Sequence, residues 1–513
     1  MNGAESLVRT LVTAGVNVCF MNPGTSEIHF VDALDRVREM RGIACLFEGV
    51  ASGAADGYAR MAGKPACALF HLGPGLSNAL ANLHNACRAH VPLVNIVGDH
   101  VTWHRRFDAP LAADIDALAR PYSKWLRSSA SSAVVGGDCA EAIMATRGAP
   151  EGIATLILPS DTAWGDDGVV GTVPATAPVP LPQDGAVARA AAMLRNGTRT
   201  AILLGTPLTQ GEALTTAGRI AAATGATVMA PFNFTRITRG AGLPPVERVA
   251  YVVDQALAQL RAFDQFILVG APVPVAFFGY PGKPSVLVPE NAIVHTLAEL
   301  HEDGVGALLM LADSVGAKKT APTLQSAGRP AMPNGPITID GLAAAVGAVL
   351  PEDAIIVDES ITSGRGMMAA TKGAPPHDWL VNTGGSIGIG IPLAVGAAVA
   401  CPDRPVLCLE ADGSGMYTLQ ALWTAARENL AITVVVFANR AYQILKGEIA
   451  ALAGNPGPRA LDMLEIGRPD LDWTALAKGM GVPARRVETL EDFGAALRAG
   501  FASRAPNLIE VPL

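Results

Sequence analysis

Short apolar runs alternate with alanine-rich, helix-like segments along the whole chain. Most of these runs end at a glycine or an acidic residue, a pattern typical of parallel strands covered on both faces. The predicted strands include VCFMN (18–22), ACALFHL (66–72), PLVNIVGD (92–99), TLILP (155–159), TAILLG (200–205), QFILVG (265–270), AIIVDES (354–360), VLCLEAD (406–412) and ITVVVFAN (432–439). This rhythm predicts an α/β fold built from doubly wound parallel sheets.

Two stretches interrupt the rhythm and predict domain boundaries. Residues 170–185 and 320–336 are rich in proline, alanine, threonine and glycine and have neither helical nor strand periodicity. They divide the chain into segments 1–170, 186–320 and 337–513. We therefore expect three α/β domains of similar size.

Composition and charge narrow the classes of function. Half of the 513 residues are hydrophobic and 16% are charged, so large cores are expected and disorder is not. The net charge is −8, and no basic run is suited to follow a phosphate backbone. The sequence therefore argues against a nucleic-acid partner.

The cysteines and the most apolar segments bear on location. The seven cysteines are odd in number and scattered, without a C-x-x-C pair, which favours a reducing cytoplasm. Residues 1–16 predict an amphipathic first helix rather than a secretory leader. The stretch 386–400 is too short and glycine-rich for a membrane span. We expect a soluble cytoplasmic protein with no membrane partner.

Two predicted strands of the third segment end in residues that suit a metal ion, Asp412 and Asn439. Ligands of open α/β sheets bind beyond the carboxyl ends of the strands. Carboxylate, amide and backbone carbonyl oxygens suit Mg²⁺ or Ca²⁺. Gly413 and Ser414, which open the next predicted helix, would offer an amide and a hydroxyl to an anion. Ordinary helix capping explains the same residues equally well.

These residues resemble the cofactor motif of the thiamine diphosphate (ThDP) enzymes of the 2-oxo acid decarboxylase and acetolactate synthase group. The family motif is Gly-Asp-Gly-Ser followed later by Asn-Asn; this chain has ADGS and then AN. The resemblance implies that Asp412, Asn439 and the carbonyl of Ala441 hold Mg²⁺, which holds the diphosphate. It also implies cofactor contacts at Gly413, Ser414 and Tyr442. Alanine replaces the leading Gly and the first Asn, which are not metal-ligand positions.

A second match to this family lies in the first segment. The stretch CLFEGVASGAADGYAR carries Glu48 followed by the A-A-D-G-Y-A-R of the family. The resemblance implies that Glu48 bonds the aminopyrimidine of the cofactor and promotes loss of the thiazolium C2 proton. The flanking Phe47 and Val50 supply the apolar setting in which a carboxyl group shares a proton.

Two loops of the first segment are most similar to those of benzoylformate decarboxylases. The stretch FMNPGTSEIHF resembles the family's Pro-Gly turn over the reacting carbon, which implies cofactor contacts at Pro23 and Gly24. Thr25 then stands where those decarboxylases have a serine that meets the substrate carboxylate. In FHLGPGLSN, the resemblance implies an active-site histidine at His71 and a cofactor contact at Asn78.

The expected substrate pocket departs from the decarboxylase pattern at one position. A second active-site histidine of those enzymes falls in GAPVPVAFFGYPG, where this chain offers Phe278. The histidines relay protons after carbon dioxide leaves, and phenylalanine cannot. Leu111 and Ala112 fall where the decarboxylases line their pocket, which implies a medium-sized apolar substituent on the substrate.

The third segment supplies the remaining contacts that the resemblance implies. In NTGGSIGIGIP (382–392), Ile387 matches the aliphatic residue that wedges beneath the cofactor and bends it. The carbonyl of Gly385 would meet the 4′-amino group, and Thr362 would bring a hydroxyl to the diphosphate. Packing of a glycine-rich helix entry on the sheet explains 382–392 as well and is compatible with the wedge.

The middle segment has no motif that indicates a cofactor-binding site. TAILLGTPLTQG lacks a full G-x-G-x-x-G with a following acid, so no fingerprint supports FAD and a structural domain is favoured. In the family, the domain of Glu48 packs against the diphosphate domain of a second chain. The resemblance therefore implies an obligatory homodimer and favours a homotetramer.

The resemblance implies an enzyme that acts on the carbon–carbon bond next to the carbonyl of a 2-oxo acid. A non-oxidative decarboxylase with carboligase capacity, similar to benzoylformate decarboxylase, is favoured by His71 and the neighbouring loops. A carboligase of the acetolactate synthase type is the alternative, favoured by Phe278. A ThDP-binding homologue of low activity, serving as a regulatory subunit, is the third; intact Glu48, Asp412 and Asn439 argue against it.

Overall fold

A computed structural model describes residues 1–513, apart from the side chain of Ala453. Over these residues the strands form three sheets in which parallel pairing dominates. Each apolar run quoted above contains a strand, so the α/β prediction is confirmed.

The first segment builds one parallel sheet. Its strands are β1 (Val18–Met21), β2 (Arg41–Ala44), β3 (Ala66–Phe70), β4 (Leu93–Asp99), β5 (Trp125–Ser128) and β6 (Ile153–Pro159). Its helices are α1 (Gly3–Thr13), α2 (Ile28–Arg36), α3 (Glu48–Ala62), α4 (Leu72–Arg88), α5 (Ile115–Ala119), α6 (Ser132–Arg147) and α7 (Ser160–Trp164). The strands lie in the order β2-β1-β3-β4-β6-β5. Phe20 and Cys19 of β1 enter separate cores, as expected of a sheet covered on both faces.

The middle segment contributes a second parallel sheet. Its strands are β7 (Thr200–Leu204), β8 (Thr227–Ala230), β9 (Arg236–Arg239), β10 (Glu247–Arg248), β11 (Gln265–Val269) and β12 (Ile293–Ala298). Its helices are α8 (Ala186–Arg195), α9 (Gly211–Thr224), α10 (Val253–Leu260) and α11 (Gly304–Ser314). The sheet order is β10-β8-β7-β11-β12, without β9.

The third segment forms the largest sheet. Its strands are β13 (Ile355–Glu359), β14 (His377–Val381), β15 (Val406–Ala411), β16 (Ile432–Ala438), β17 (Ala484–Arg486) and β18 (Asn507–Pro512). Its helices are α12 (Ile339–Val349), α13 (Met367–Ala370), α14 (Gly390–Ala400), α15 (Asp412–Gly415), α16 (Ala421–Arg427), α17 (Gln443–Ala453), α18 (Pro458–Asp462), α19 (Trp473–Gly479) and α20 (Leu490–Ser503). The order is β17-β18-β16-β15-β13-β14-β9.

Strand β9 ties the middle segment to the third sheet. It pairs antiparallel with β14 at the edge of that sheet. The Arg236 guanidinium donates to both carboxylate oxygens of Asp378, at 2.8 and 3.0 Å. Arg404 donates to the same carboxylate at 2.7 Å. Because these arginines face it, the pKa of Asp378 lies below its usual value despite burial.

Helices α3 and α14 pack backbone against backbone. A Cβ added at Gly396 would overlap the carbonyl oxygen of Ala54, and one at Gly57 would overlap that of Leu393. Only glycine permits so close an approach of two helices. The helix that begins at Glu48 is thereby fixed beside the helix that follows the 382–389 stretch.

Two further observations concern the membrane and the cysteines. In the part of the chain that the structure describes, no helix combines the length and the apolar character needed to cross a membrane. The seven cysteines are free thiols.

Candidate cofactor and active site

Glu48 is the first residue of α3 and is only 6% exposed. Asn22 Nδ2, just beyond β1, donates to Oε1 of Glu48 at 3.1 Å. Asn78 Nδ2, on α4, donates to Oε2 at 3.0 Å. Two amides therefore fix the orientation of the buried carboxyl group, and the structure brings together Glu48 and Asn78 from separate sequence motifs.

His71 forms a dyad with Glu27, a residue that the sequence did not single out. His71 precedes α4, and its Nδ1 lies 2.8 Å from Oε2 of Glu27. Glu27 is 2% exposed, and its Oε2 also accepts the amide of Gly24 at 2.9 Å. Burial raises the pKa of Glu27, and the neighbouring His71 opposes that rise. With Glu27 ionised, Nδ1–H donates and Nε2 is left able to accept or deliver a proton.

Two glycines show that this dyad lies beside Glu48. A Cβ added at Gly75 would lie 3.2 Å from Oε1 of Glu48 and 3.2 Å from Cβ of His71. A Cβ added at Gly24 would overlap the His71 ring. The carboxyl group and the imidazole therefore lie close together at the carboxyl ends of β1 and β3, where ligands of such sheets bind.

The other predicted residues of the first segment lie at the rim. Pro23 and Thr25 are exposed, and Thr25 opens a short 3-10 turn that ends at Glu27. Leu111 is exposed and Ala112 is half-buried, in the loop that follows β4. The adjoining Ala113 packs directly on the first turn of α4, since a Cβ added at Gly73 would overlap its methyl group.

Asp412 and Asn439 lie at the ends of neighbouring parallel strands, since Ala411 of β15 pairs with Phe437 of β16. The two strands are therefore neighbours in the third sheet. Oδ1 of Asp412 accepts the amide of Gly413 at 2.9 Å, and Oδ2 accepts the amide of Arg440 at 2.6 Å. Oδ1 of Asn439 accepts the amide of Ala441 at 3.1 Å.

Burial shapes the electrostatics of Asp412, which is 2% exposed. Desolvation raises the pKa of this carboxyl group to about 6, and the backbone amides only partly offset that effect. A divalent cation would supply the missing counter-charge, and the oxygens of Asp412, Asn439 and Ala441 are of the type that Mg²⁺ prefers. Among the described residues, no three His, Cys, Asp or Glu side chains converge on one point.

The first turn after β15 is held from two sides. A Cβ added at Gly413 would lie 2.7 Å from Cε1 of Tyr442, so the tyrosine ring covers this glycine. The Ser414 hydroxyl donates to Oε1 of Glu410 at 2.7 Å. The Ser414 side chain therefore points toward the sheet in this structure. The polar groups of this turn that face outward belong to its backbone.

Glu410 belongs to a buried pair of carboxyl groups with Glu359. A Cβ added at Gly390 would overlap Oε2 of Glu410 and would lie 3.2 Å from Oε2 of Glu359. Burial raises the pKa of Glu359 to about 7. Burial, and then the charge of Glu359, raise the pKa of Glu410 well above its ordinary value. Two such groups cannot both ionise at low cost, so the pair holds a proton at neutral pH.

Phe277, rather than Phe278, faces the loop of the third sheet. A Cβ added at Gly385 would lie 2.5 Å from Cζ of Phe277. Phe278 stacks edge-on against Phe277, with ring centroids 4.7 Å apart, and is 54% exposed. Phe232 and Tyr251 back the Phe277 ring, with centroids 5.8 and 5.6 Å away. The middle segment thus presents an aromatic wall to Gly385.

The remaining predicted cofactor contacts lie in two loops of the third segment, and one of them, Gly385, adjoins this wall. Ile387 is half-buried, Gly385 is exposed with a φ of +85°, and Thr362 is half-buried in the loop after β13. Tyr280 of the middle segment donates to Oε1 of Glu448 on α17 at 3.0 Å. Residues from the middle and third segments therefore close over the same edge of the third sheet.

The sequence reasoning did not identify several residues of the site, although the position of some of them in the sequence indicated a functional role. Asn22 is polar at a strand end, and Glu27 is an acid within the quoted FMNPGTSEIHF turn. Glu359 and Glu410 are acids at the ends of otherwise apolar runs, a position that already carries weight for Asp412. Phe277 had no signal that separates it from Phe278.

Known proteins resemble this chain in both of its terminal domains. Residues 1–119 match the N-terminal TPP binding domain of thiamine pyrophosphate enzymes, and residues 363–511 match the C-terminal TPP binding domain. IlvX of Mycobacterium tuberculosis, which carries the provisional name of an acetolactate synthase large subunit, is 54% identical over 100% of this chain and 99% of its own. Benzoylformate decarboxylase of Pseudomonas aeruginosa is 28% identical over 97% of this chain and 96% of its own.

Solved structures share the fold over the full length. The thiamine diphosphate-dependent 4-hydroxybenzoylformate decarboxylase of Rhodococcus jostii RHA1 has a TM-score of 0.86 at 24% identity, covering 100% of this chain and 99% of its own. Benzoylformate decarboxylase from Polynucleobacter necessarius has a TM-score of 0.84 at 22% identity, with the same coverage. With both cofactor-binding domains matched and a full-length relative above half identity, the chain belongs to the thiamine pyrophosphate (thiamine diphosphate) enzymes.

Proposed function

We propose that the chain is a ThDP-dependent, non-oxidative 2-oxo acid decarboxylase that releases an aldehyde and has carboligase capacity. The observation that carries this proposal is the Glu27–His71 dyad, joined at 2.8 Å and lying beside Glu48. Release of an aldehyde requires that a proton reach the carbon that loses carbon dioxide. A histidine oriented by a buried carboxyl group is suited to deliver it.

The residues at the end of the third sheet would hold the cofactor. Asp412, Asn439 and the carbonyl of Ala441 would bind Mg²⁺, and Mg²⁺ would hold the diphosphate with help from Gly413 and Thr362. When bound, ThDP supplies the electron sink for cleavage of the carbon–carbon bond. Gly385 and Ile387 would orient the aminopyrimidine and the bend of the cofactor.

The first segment would supply proton transfer and substrate contacts. Glu48, oriented by Asn22 and Asn78, would bond the aminopyrimidine and promote loss of the thiazolium C2 proton. Thr25 at the rim would meet the substrate carboxylate. The apolar side chains of Leu111 and Ala112 and the aromatic rings next to Gly385 favour a 2-oxo acid with an aryl or medium-sized apolar substituent.

We further propose that the active unit is a homodimer, assembled into a homotetramer, in the cytoplasm. The three domains would be 1–170, 186–320 and 337–513. The middle domain would be structural, without FAD, apart from its aromatic wall at Gly385. The free cysteines support a reducing compartment.

Incubation with ThDP, Mg²⁺ and a panel of 2-oxo acids tests the proposal. We expect carbon dioxide and aldehyde in equal amounts from benzoylformate or a similar aryl substrate, and none when ThDP is omitted. Binding of ThDP without turnover on any 2-oxo acid would instead support the regulatory subunit. Acetolactate from pyruvate as the main product would support the carboligase.

The second candidate function, carboligation of the acetolactate synthase type, is favoured by the Phe277 contact with Gly385. A hydrocarbon ring there excludes water and offers no proton, which favours capture of a second carbonyl compound. We expect Phe277→His to shift the ratio of aldehyde to 2-hydroxy ketone toward aldehyde by about tenfold, because it adds a proton donor. The matched control, Phe278→His, should leave the ratio unchanged; equal shifts in both variants would refute the placement of Phe277.

A further inference from the structure

Helix α4 carries three asparagines at the spacing i, i+4, i+7, and all three are hydrogen-bonded along one face. Asn78 donates to Glu48 Oε2 at 3.0 Å, and Asn82 Nδ2 donates to the carbonyl of Gly49 at 2.8 Å. Asn85 Nδ2 donates to Oδ1 of Asn82 at 3.0 Å. This spacing places side chains one above another on a helix, so the three form a continuous ladder.

At the C-terminal end of the ladder, helix α4 binds the loop 384–388 of the third domain. Asn85 makes two bonds to Ser386: its Nδ2 donates to the carbonyl at 2.7 Å, and its Oδ1 accepts the amide at 3.1 Å. Asn82 Nδ2 reaches the carbonyl of Gly388 at 3.3 Å. His84 Nε2 lies 3.1 Å from the carbonyl of Gly384 and donates to it.

Burial makes these bonds hard to replace. Asn85 is fully buried and Asn82 nearly so, which leaves no water to take over a lost partner. A Cβ added at Gly384 would lie 2.6 Å from Oδ1 of Asn85, so the loop backbone sits directly on the helix. From the other side, Asn382 accepts the amide of Gly385 at 2.7 Å.

The bonds alternate along the loop. Residues 384, 386 and 388 bind α4, and the two residues between them, Gly385 and Ile387, do not. Gly385 and Ile387 are thus each flanked on both sides by residues whose backbone is bonded to α4, and Phe277 of the middle segment contacts Gly385.

We propose that Asn85, with Asn82 and His84, is the positioning element that fixes Gly385 and Ile387 toward the cofactor. The inference rests on the proposed function, in which those two residues orient the aminopyrimidine. The ladder also joins this loop to α3, because Asn82 bridges the carbonyls of Gly49 and Gly388. Helix α4 thus sets the loop and the Glu48 helix in one fixed relation within the chain.

Asn85→Ala tests the proposal, with the exposed Asn291→Ala as the matched control. In the apo protein, hydrogen exchange of the peptide 382–390 should accelerate at least about tenfold, since the Ser386 amide loses its acceptor. With Mg²⁺ and ThDP, exchange of the thiazolium C2 proton should slow about 100-fold, because a slight misplacement of Gly385 and Ile387 would misalign the cofactor. The Kd for ThDP should change little. Unchanged loop exchange together with unchanged C2 exchange would overturn the inference.

A second pair of variants covers the case in which Asn85→Ala does not fold. His84 is half-buried, so His84→Ala should fold and show a smaller acceleration of the same peptide. His84→Gln restores a donor to the Gly384 carbonyl and should return both rates toward the wild type. Equal behaviour of the two His84 variants would refute the role of this bond. Absence of C2 exchange in the wild type would refute the proposed function, whereas unchanged loop exchange in apo Asn85→Ala would refute the anchoring of the loop by α4.

Discussion

Glu48→Gln is expected to lower kcat by at least about 10³-fold while Mg²⁺ and ThDP remain bound. The amide has nearly the size of the carboxyl group but cannot take up and return a proton. Asn22 and Asn78 both donate to Glu48 in the wild type. One of them would face an NH₂ group in the variant, a local cost of about 1–2 kcal/mol that does not touch the diphosphate site.

Three measurements separate this outcome from a general loss of folding. Carbon dioxide release gives kcat, quenching of tryptophan fluorescence gives the Kd for ThDP, and thermal unfolding gives stability. Glu39→Gln is the matched control, because Glu39 is exposed in the same segment just after α2. Wild-type turnover in Glu48→Gln would show that another group performs the proton transfer, and Glu27 would be the first candidate.

The strands were predictable because a parallel strand covered on both faces needs a continuous apolar run. VLCLEA and ITVVVFA meet that demand with few polar residues, and both are buried along their whole length. Their order along the chain, with helical segments between them, favours parallel pairing of the two strands. The structure then shows that they are neighbours.

Strand β9 could not be assigned from the sequence. Its residues alternate between half-buried and buried, as expected of an edge strand. The proline-rich linkers mark where the chain leaves a domain, but they carry no information on which sheet a short strand joins. The ion pair of Arg236 with Asp378 is formed between residues far apart in sequence, and no local pattern anticipates it.

The contacts of the site also divide into those that the sequence predicts and those that it does not. Glu48 and Asn78 were identified because the stretches that contain them resemble motifs of the family. The Glu27–His71 dyad depends on the turn at Gly24, where a Cβ would overlap the His71 ring. Phe277 and Phe278 are adjacent in an irregular loop, so neither period nor composition tells which ring faces Gly385. These contacts therefore depend on the conformation of the loops, which sequence periodicity does not predict.

Asp412→Ala is expected to weaken Mg²⁺-dependent binding of ThDP by about 100-fold or more, because it removes the carboxylate of the proposed metal site. The substitution also leaves the amides of Gly413 and Arg440 without their acceptor, since Asp412 bonds both. That loss should lower the stability of the apo protein by about 1–3 kcal/mol. Calorimetric titration of ThDP at saturating Mg²⁺ measures the first effect, and thermal unfolding of the apo protein measures the second.

The control for Asp412 lies at the opposite end of the same strand. Asp403 is an exposed carboxylate in the turn before β15, so Asp403→Ala changes the charge equally and should leave both ThDP affinity and turnover intact. Asp412→Asn separates charge from hydrogen bonding, because it keeps one acceptor and removes the negative charge. If Asp412→Asn binds ThDP as tightly as the wild type, the metal assignment fails. If it binds as weakly as Asp412→Ala but is more stable, the charge at this strand end acts on the metal and the hydrogen bonds act on the fold.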